Sequence, residues 1–150
     1  MYSRILVPLD GSDASIFGLA EAIRLARNQD AALRLVHVID VFPVVMPEAV
    51  VFADQGAYDA IRESGRRLLH EHEVSVRGAG VSVDSVLVEA MGSQAGLLIL
   101  QQAREWRASL IAMGTHGRRG VRRLLLGSDA EIVVRHTTVP LLLVRAHESI

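Results

Sequence analysis

Short apolar runs alternate with helical stretches along the chain, and this alternation constrains the fold more than any other feature of the sequence. Where strands and helices take turns, the expected architecture is α/β, with a parallel sheet and helices on both faces. Strands buried on both faces read as continuous apolar runs, as LIAM and LLLV do near the carboxyl end. The predicted strands are Arg4–Pro8, Leu33–Val38, Val81–Val88, Leu110–Met113 and Leu141–Val144. The third of them alternates apolar and polar residues, which is typical of an edge strand.

Capping residues and glycines mark the predicted helices, because serine and aspartate side chains can accept hydrogen bonds from the first free N–H groups. The helices are predicted to begin at Ser12 or Asp13, at Gln55, at Ser93 and at Ser128. The second ends near Gly78 and the third near Trp106. On the first helix the predicted apolar face consists of Ile16, Leu19, Ala20 and Ile23.

The segment 39–53 contains two prolines and has no clear period, so it is predicted to be a loop. Its apolar character indicates a flap that packs on a ligand or on a partner chain. The loop would lie directly after the second strand.

Composition narrows the class of protein. With 150 residues, half of them hydrophobic and 22% charged, the chain fits one globular domain over residues 1–150. A formal net charge of −1 gives no indication of binding to nucleic acid or to anionic membranes. There is no cysteine and no apolar run near the roughly 20 residues of a membrane helix, and the start lacks a secretory pattern. We therefore expect a cytoplasmic protein, and the histidine spacing predicts no metal site.

A glycine-spaced segment, MGTHGRRGVRRLLLGSDAEIV, carries the clearest chemical pattern. Two residues separate Gly114 from Gly117, and nine more lead to Gly127 and Ser128. Glycine lets a backbone approach a ligand without a Cβ in the way. The first glycine follows a strand, at the edge where open α/β sheets bind ligands, and the free N–H groups of the helix opening at Ser128 favour an anion. The arginines that add positive charge are Arg118, Arg119, Arg122 and Arg123.

Spacing alone leaves two interpretations of this segment open. Ser128 to Glu131 also reads S-x-x-E, an ordinary capping box, and Gly127 can be a plain turn residue. The segment is neither a Walker A loop nor a G-x-G-x-x-G fingerprint, which argues against a dinucleotide site. From the residues themselves, a phosphate site and a simple helix start are both allowed.

The two ends of the chain resemble the signatures of the universal stress protein family. MGTHGRRGVRRLLLGSDAEIVVRHTTVPLLLVR is similar to the carboxyl-terminal signature and ILVPLDGSDAS to the amino-terminal one. The family's ATP-binding members have G-x2-G-x9-G-S/T, which Gly114, Gly117, Gly127 and Ser128 match in full. The resemblance implies an open, Rossmann-like, five-stranded parallel sheet of order 3-2-1-4-5. It also implies a stress or regulatory module that binds ATP or ADP, with Mg²⁺ held only through the nucleotide phosphates.

The resemblance also implies roles for individual residues. Asp10, which follows Pro8 and Leu9, would lie near the ribose and adenine, although an aspartate in LDGS is also a good turn former. Backbone groups at Val38 would read the adenine edge, and Met113 would line the base pocket. The residues expected around the phosphates are Gly114, His116, Gly117 and Arg118, with Gly127, Ser128 and Asp129 closing the site.

Asp129 departs from the family pattern, since a small or apolar residue usually follows Gly-Ser. A carboxylate beside phosphates would repel them. Either Asp129 points away and supports a helix, or it helps to hold a divalent cation on the phosphates.

No residue is predicted to be catalytic. No side chain is an evident base for activating water, and the chain contains no lysine. Hydrolysis is therefore expected to be slow or absent. The alternatives are a slow ATPase or nucleotidyl-transfer enzyme of the related ATP-binding α/β group, and an interaction protein without ligand.

The last strand predicts a partner. VPLLLVR begins with a proline, which suits the first position of a strand, and an apolar strand at a sheet edge invites pairing with another chain. In similar proteins this strand pairs antiparallel with its symmetry mate. The predicted homodimer interface is Val139, Pro140, Leu141, Leu142, Leu143 and Val144, the alternative being a strand covered only by its own helices.

Overall fold

A computed structural model describes residues 1–41, 44–46, 49–51, 55–115 and 126–145. The strands are β1 (Arg4–Pro8), β2 (Ala32–Asp40), β3 (Val44–Met46), β4 (Ala49–Val51), β5 (Val83–Ala90), β6 (Leu110–Gly114) and β7 (Leu141–Val144). The helices are α1 (Asp13–Gln29), α2 (Gln55–Gly78), α3 (Ala95–Glu105) and α4 (Ser128–His136). Across these ranges, no helix combines the length and the apolar character that crossing a membrane requires.

Five strands form one sheet in the order β5-β2-β1-β6-β7, and each neighbouring pair is parallel. Numbered along the chain within this sheet, the order is 3-2-1-4-5, as predicted. The direction of winding reverses between β1 and β6, where Leu6 lies opposite Ile111. Open α/β sheets bind ligands beyond the carboxyl ends of the strands at such a reversal. The carboxyl ends of β1 and β6 are therefore the expected ligand site of this fold.

Two apolar layers cover the sheet because successive side chains of each strand point to opposite faces. On β1, Ile5 and Val7 pack with Leu19 of α1 and Leu69 of α2, while Leu6 belongs to the opposite layer. That second layer also contains side chains of β2, β6, α3 and α4. They are Val36, Ile111, Met113, Ile99, Leu100, Ala103, Ala130 and Val133. Helices thus lie on both faces, as the alternation of elements predicted.

The prediction of a loop over 39–53 was wrong in part. β2 continues to Asp40, which is paired with Ala90 of β5. Beyond it, β3 and β4 pair antiparallel, with Val45 opposite Val50. Strands of three residues are too short to display a period in the sequence.

Helix α1 begins where it was predicted, since Ser12 is its N-cap and its side chain accepts a hydrogen bond from the backbone N of Ser15. The predicted face was wrong in part, because Ile16 is exposed at 43% and Ala20 is exposed as well. The helix packs mainly through small residues, and its buried positions are Ala14, Ser15, Gly18, Leu19, Ala22 and Ala26. A Cβ on Gly18 would lie 3.1 Å from the backbone N of Gly114, so close approach to β6 requires this small face.

Candidate functional site

Three neighbouring strands, β2, β1 and β6, end side by side at the carboxyl edge of the sheet. The predicted residues Pro8, Leu9 and Asp10 lie at the end of β1, and Val38 and Met113 lie near the ends of β2 and β6. The structure therefore brings together the residues expected around the base and ribose. Three of the residues expected around the phosphates, His116, Gly117 and Arg118, lie outside the described residues.

Asp10 forms the turn that leads from β1 into α1. Its Oδ1 accepts hydrogen bonds from the backbone N and the Oγ of Ser12, at 2.9 and 2.5 Å. The next residue, Gly11, has φ +79°, a conformation that favours glycine, and a Cβ there would lie 3.1 Å from Leu68 Cδ1. Asp10 is thus a turn former, as one of its two interpretations predicted. The same contacts hold its carboxylate at the carboxyl edge of the sheet, beside the reversal of strand order.

The backbone of Val38 faces the space beyond the end of β1. The last backbone hydrogen bond between the two strands runs from Leu9 N to Val36 O, at 2.8 Å. Alternate residues of a strand direct their N–H and C=O groups to the same side, so Val38 points the same way as Val36. Val41 N bonds Ala90 O of β5, which confirms that odd-numbered positions face the other neighbour. Val38 therefore presents a donor and an acceptor where β1 has already turned away.

Met113 and Val38 contribute apolar side chains on one face of the sheet. Met113 is buried, at 6% exposure, and Val38 packs against the same layer, with α3 and α4. One strand, β1, lies between them in the sheet. The arrangement gives an apolar surface on the same face as the start of α4.

Backbone hydrogen bonds hold the two ends of the glycine segment together. Thr115 N donates to Val144 O, and Gly127 N donates to Thr115 O, both at 2.9 Å. The start of α4 is thereby fixed next to the end of β6, although eleven residues separate Thr115 from Gly127 in the chain. The end of β6 and the start of α4 therefore lie side by side.

Gly114 is required by packing as well as by its position. A Cβ on this residue would lie 2.5 Å from the backbone C and O of Ala14, far inside van der Waals contact. Close approach of α1 therefore accounts for one of the glycines of the motif. The spacing of the glycines in the sequence does not reveal this packing contact.

Helix α4 starts without a side-chain cap. Its N-cap is Gly127, where no side-chain hydrogen bond forms, and Ser128 is the first helical residue. Glu131 pairs with Arg135 at 2.7 Å instead of closing a capping box, and its backbone N donates to Gly127 O. The simple capping-box interpretation is thus wrong. The first N–H groups of an α-helix have no partner within the helix, so this end can bind an anion.

Asp129 points towards α3. Its Oδ1 accepts a hydrogen bond from the backbone N of Gly96, at 3.0 Å. The N-cap of α3 is Gln94, which makes no side-chain cap hydrogen bond, so the prediction of Ser93 as the cap was wrong. Of the two alternatives for Asp129, the geometry supports the first, with the carboxylate supporting a neighbouring helix. Sequence reasoning missed Gly96, because its partner is 33 residues away.

Surface ion pairs shift the pKa values of Glu89 and Arg34. Hydrogen bonds from the Arg62 guanidinium lower the pKa of Glu89, at the end of β5. Arg34 forms a two-bonded pair with Asp84, which raises the pKa of the guanidinium, and it lies 4.9 Å from the centre of the Trp106 ring. Among the described residues, no group of three or more His, Cys, Asp or Glu side chains is arranged to hold a metal ion.

A cleft of about 310 Å³ opens at the opposite, amino edge of the sheet. It is lined by the ends of α1 and α2 and by Ser3, with Arg27 and Asp30 as its charged residues. Parallel α/β sheets bind ligands at their carboxyl edge, so the cleft is on the wrong side of the sheet for a nucleotide. The candidate site remains the edge formed by β2, β1, β6 and α4.

Comparison with known proteins identifies relatives of this chain. The model of the universal stress protein family matches residues 1–145. A universal stress protein of Methanocaldococcus jannaschii is 32% identical, over 97% of this chain and 83% of the relative. The crystal structure of a family member from Burkholderia pseudomallei is 36% identical, with a TM-score of 0.77 and 97% of each chain covered. A universal stress protein of Archaeoglobus fulgidus in complex with dAMP shares the fold, with a TM-score of 0.67 at 21% identity, over 95% of this chain and 98% of the other.

Proposed function

The chain belongs to the universal stress protein family, and on this basis we propose that it binds an adenine nucleotide at the carboxyl edge of its sheet. It would act as a nucleotide-dependent stress or regulatory module, a single domain over residues 1–150. The observation that carries the proposal is the hydrogen bond from Gly127 N to Thr115 O, which joins the uncapped start of α4 to the end of β6. The dAMP bound by the relative from Archaeoglobus fulgidus supports the choice of an adenine nucleotide.

In the proposed complex the base lies against the apolar side chains of Met113 and Val38. The backbone N–H and C=O of Val38 bond the adenine edge, and the Asp10 carboxylate accepts hydrogen bonds from ribose hydroxyls. Pro8 and Leu9 border the base from the end of β1. The orientation of the Val38 backbone and the position of Asp10 support these assignments.

The phosphates occupy the region between β6 and the start of α4. Backbone N–H groups at Ser128 and its neighbours face them, and the positive end of the helix dipole adds to the attraction. From the sequence motif, Gly114, His116, Gly117 and Arg118 border the phosphates on the other side. We propose that Mg²⁺ is held by the nucleotide phosphates and not by side chains of the protein.

Two measurements on the purified protein test the binding proposal. Acid release followed by chromatography should detect co-purified ATP or ADP. Titration with millimolar Mg²⁺-ATP should raise the melting temperature, because a ligand that binds only the folded state stabilises it. Absence of nucleotide together with an unchanged melting temperature would contradict the proposal.

Hydrolysis is proposed to be slow or absent, so the nucleotide acts as a bound effector. Phosphate release from ATP, followed over hours, measures this directly. Turnover that is well above background and disappears in a Gly117→Asp variant would favour the enzyme alternative instead.

A homodimer through Val139–Val144 completes the proposal. The proposed compartment is the cytoplasm, with which the absence of cysteine is compatible. Strand β7 lies at the edge of the five-stranded sheet. Pro140 O and Val144 O bond β6, so the even positions face inward and the N–H and C=O groups of Leu141 and Leu143 face the open edge. These groups can pair with the same strand of a second copy.

A further inference from the structure

His37 bonds the end of β1 through its side chain. Its Nδ1 lies 2.6 Å from the carbonyl oxygen of Leu9. A carbonyl oxygen can only accept, so Nδ1 carries the proton and donates it. The residue before Asp10 is therefore held by an imidazole from the neighbouring strand.

This hydrogen bond stands where the next rung of the sheet would have formed. After the bond from Leu9 N to Val36 O, a continued parallel ladder would join Val38 N to Leu9 O. The backbone bonds of the described residues do not include that rung, and the pairing of β1 with β2 ends at Pro8 opposite Val36. In place of that rung, the Leu9 carbonyl oxygen is bonded by the imidazole of His37.

Helix α2 fixes the imidazole in this position. A Cβ on Gly65 would lie 3.1 Å from His37 Cδ2 and 2.7 Å from Leu87 Cδ1. The helix therefore passes close over the ring, and only a glycine at this position leaves room for it. The ring is partly buried between α2 and the end of β1.

We propose that His37 is a positioning residue that keeps the backbone of Val38 available to the adenine edge, an inference that rests on the proposed nucleotide site. An N–H and a C=O from one residue match adenine, which presents the N1 acceptor beside the N6 amino donor. Guanine presents the reverse, an N1–H donor beside the O6 acceptor, and would leave both backbone groups unpaired. By holding the Leu9 carbonyl in a direction away from Val38 N–H, His37 supports both affinity for ATP and discrimination against GTP.

Two substitutions test this role. His37→Leu removes the donor on a face where Leu33 and Leu35 are already buried, so the side chain should be accommodated. His37→Asn places an amide N–H near the position of Nδ1 and can still donate to Leu9 O. Calorimetric titrations with ATP, GTP and inorganic tripolyphosphate separate the base from the phosphates.

We expect His37→Leu to weaken ATP binding about five- to tenfold, as for one lost hydrogen bond, and to reduce the preference for ATP over GTP. Affinity for tripolyphosphate should not change, and His37→Asn should restore ATP binding. Should the leucine variant not fold, His37→Ala repeats the comparison with the same asparagine control.

The outcomes distinguish the two proposals. If the wild-type protein does not bind ATP, the proposed function fails and this inference fails with it. If the wild type binds ATP and His37→Leu keeps both its ATP affinity and its ATP-to-GTP ratio, only the role of His37 is overturned. An equal loss of ATP and tripolyphosphate would also overturn it, because that result indicates general damage to the site.

Discussion

The carboxylate of Asp129 accepts a hydrogen bond from the backbone N–H of Gly96, joining the first turns of α4 and α3 across 3.0 Å. The two helices touch closely there, since a Cβ on Gly96 would lie 2.8 Å from Asp129 O and from Ile132 Cβ. Asp129 therefore caps α3, whose own N-cap residue, Gln94, makes no side-chain hydrogen bond to the helix. The contact caps the first turn of α3, whereas the start of α4 is held by the bond from Gly127 N to Thr115 O.

Replacing Asp129 tests this capping role. Asp129→Ala should lower the free energy of unfolding by about 1 kcal/mol, which is typical of a lost helix cap. Asp129→Asn keeps an acceptor oxygen and should recover most of the loss in urea denaturation. Both variants should retain the affinity of the wild type for Mg²⁺-ATP. A selective loss of Mg²⁺-dependent affinity in both would instead support the cation-holding alternative.

The contact between Gly114 and Ala14 gives a second prediction. Gly114→Ala should lower the free energy of unfolding by about 1–3 kcal/mol, because its Cβ would lie 2.5 Å from backbone atoms that cannot move without shifting α1. Gly78→Ala is the matched control, since a Cβ there meets nothing within 4 Å. That control should change stability by less than about 1 kcal/mol and in the stabilising direction. Equal behaviour of the two variants in urea denaturation would contradict the packing account.

Elements set by local sequence were predictable. β1 and α2 have the predicted bounds, Arg4–Pro8 and Gln55–Gly78, because a turn or glycines close each run in the sequence itself. The cap of α1 is also a local interaction, because the Ser12 side chain accepts a hydrogen bond from the backbone N of Ser15, three residues along the chain. The carboxyl edge, with Asp10 and Val38, followed from the order of elements and from the family resemblance.

Features set by distant partners were not predictable. The buried face of α1 depends on how closely β6 approaches it, which favours Gly18 and Ala14 over the larger Ile16. The cap of α3 comes from Asp129, and the bond from His37 to Leu9 crosses 28 positions. No periodicity or spacing encodes such contacts, because each depends on the packed structure.

The ion pair between Arg62 and Glu89 should make stability depend on pH. Hydrogen bonding to Arg62 lowers the pKa of Glu89 below 4.5, so the pair stabilises the fold fully above that pH. The contribution is lost as the pH falls through the lowered pKa of the folded state. The difference in unfolding free energy between wild type and Glu89→Gln should therefore be largest near neutral pH and shrink in acid.

The effect should be small and sensitive to salt, because the Glu89 side chain is 38% exposed. Urea denaturation at several pH values measures it. In an Arg62→Gln background the same Glu89 substitution should show no comparable dependence on pH. A dependence that persists there would assign the acid sensitivity to another group.

The proposed dimer leads to a test at Leu143. Its N–H is directed to the open edge of β7, whereas its side chain packs against the layer that contains α3 and α4. Leu143→Pro removes the N–H without removing a bond to β6, and proline is tolerated at edge strands in this orientation. Leu143→Ala is the control, because it loses side-chain packing but keeps the N–H.

Light scattering at micromolar concentration should find a dimer for wild type and Leu143→Ala, and a monomer for Leu143→Pro. Circular dichroism checks that each variant is folded. A wild-type protein that is monomeric throughout this range would end the dimer proposal.

Ser128 allows the phosphate site to be separated from the stability of the helix. Ser128 is the first residue of α4. The N-cap before it, Gly127, makes no side-chain hydrogen bond to the helix. A carboxylate in a first helical turn stabilises the helix by about 0.3–1 kcal/mol, through the dipole. Ser128→Asp should therefore unfold at the same or a higher urea concentration than wild type.

The same substitution places a negative charge where the phosphates are proposed to bind. ATP affinity measured by calorimetry should fall at least about tenfold, corresponding to about 1.4 kcal/mol of repulsion. Ser128→Ala, which adds no charge, should keep ATP affinity within a few-fold of wild type. A protein that gains stability while losing ATP affinity would locate the phosphates at the start of α4, because damage to the fold would lower both quantities. Unchanged ATP affinity in Ser128→Asp would place the phosphates elsewhere.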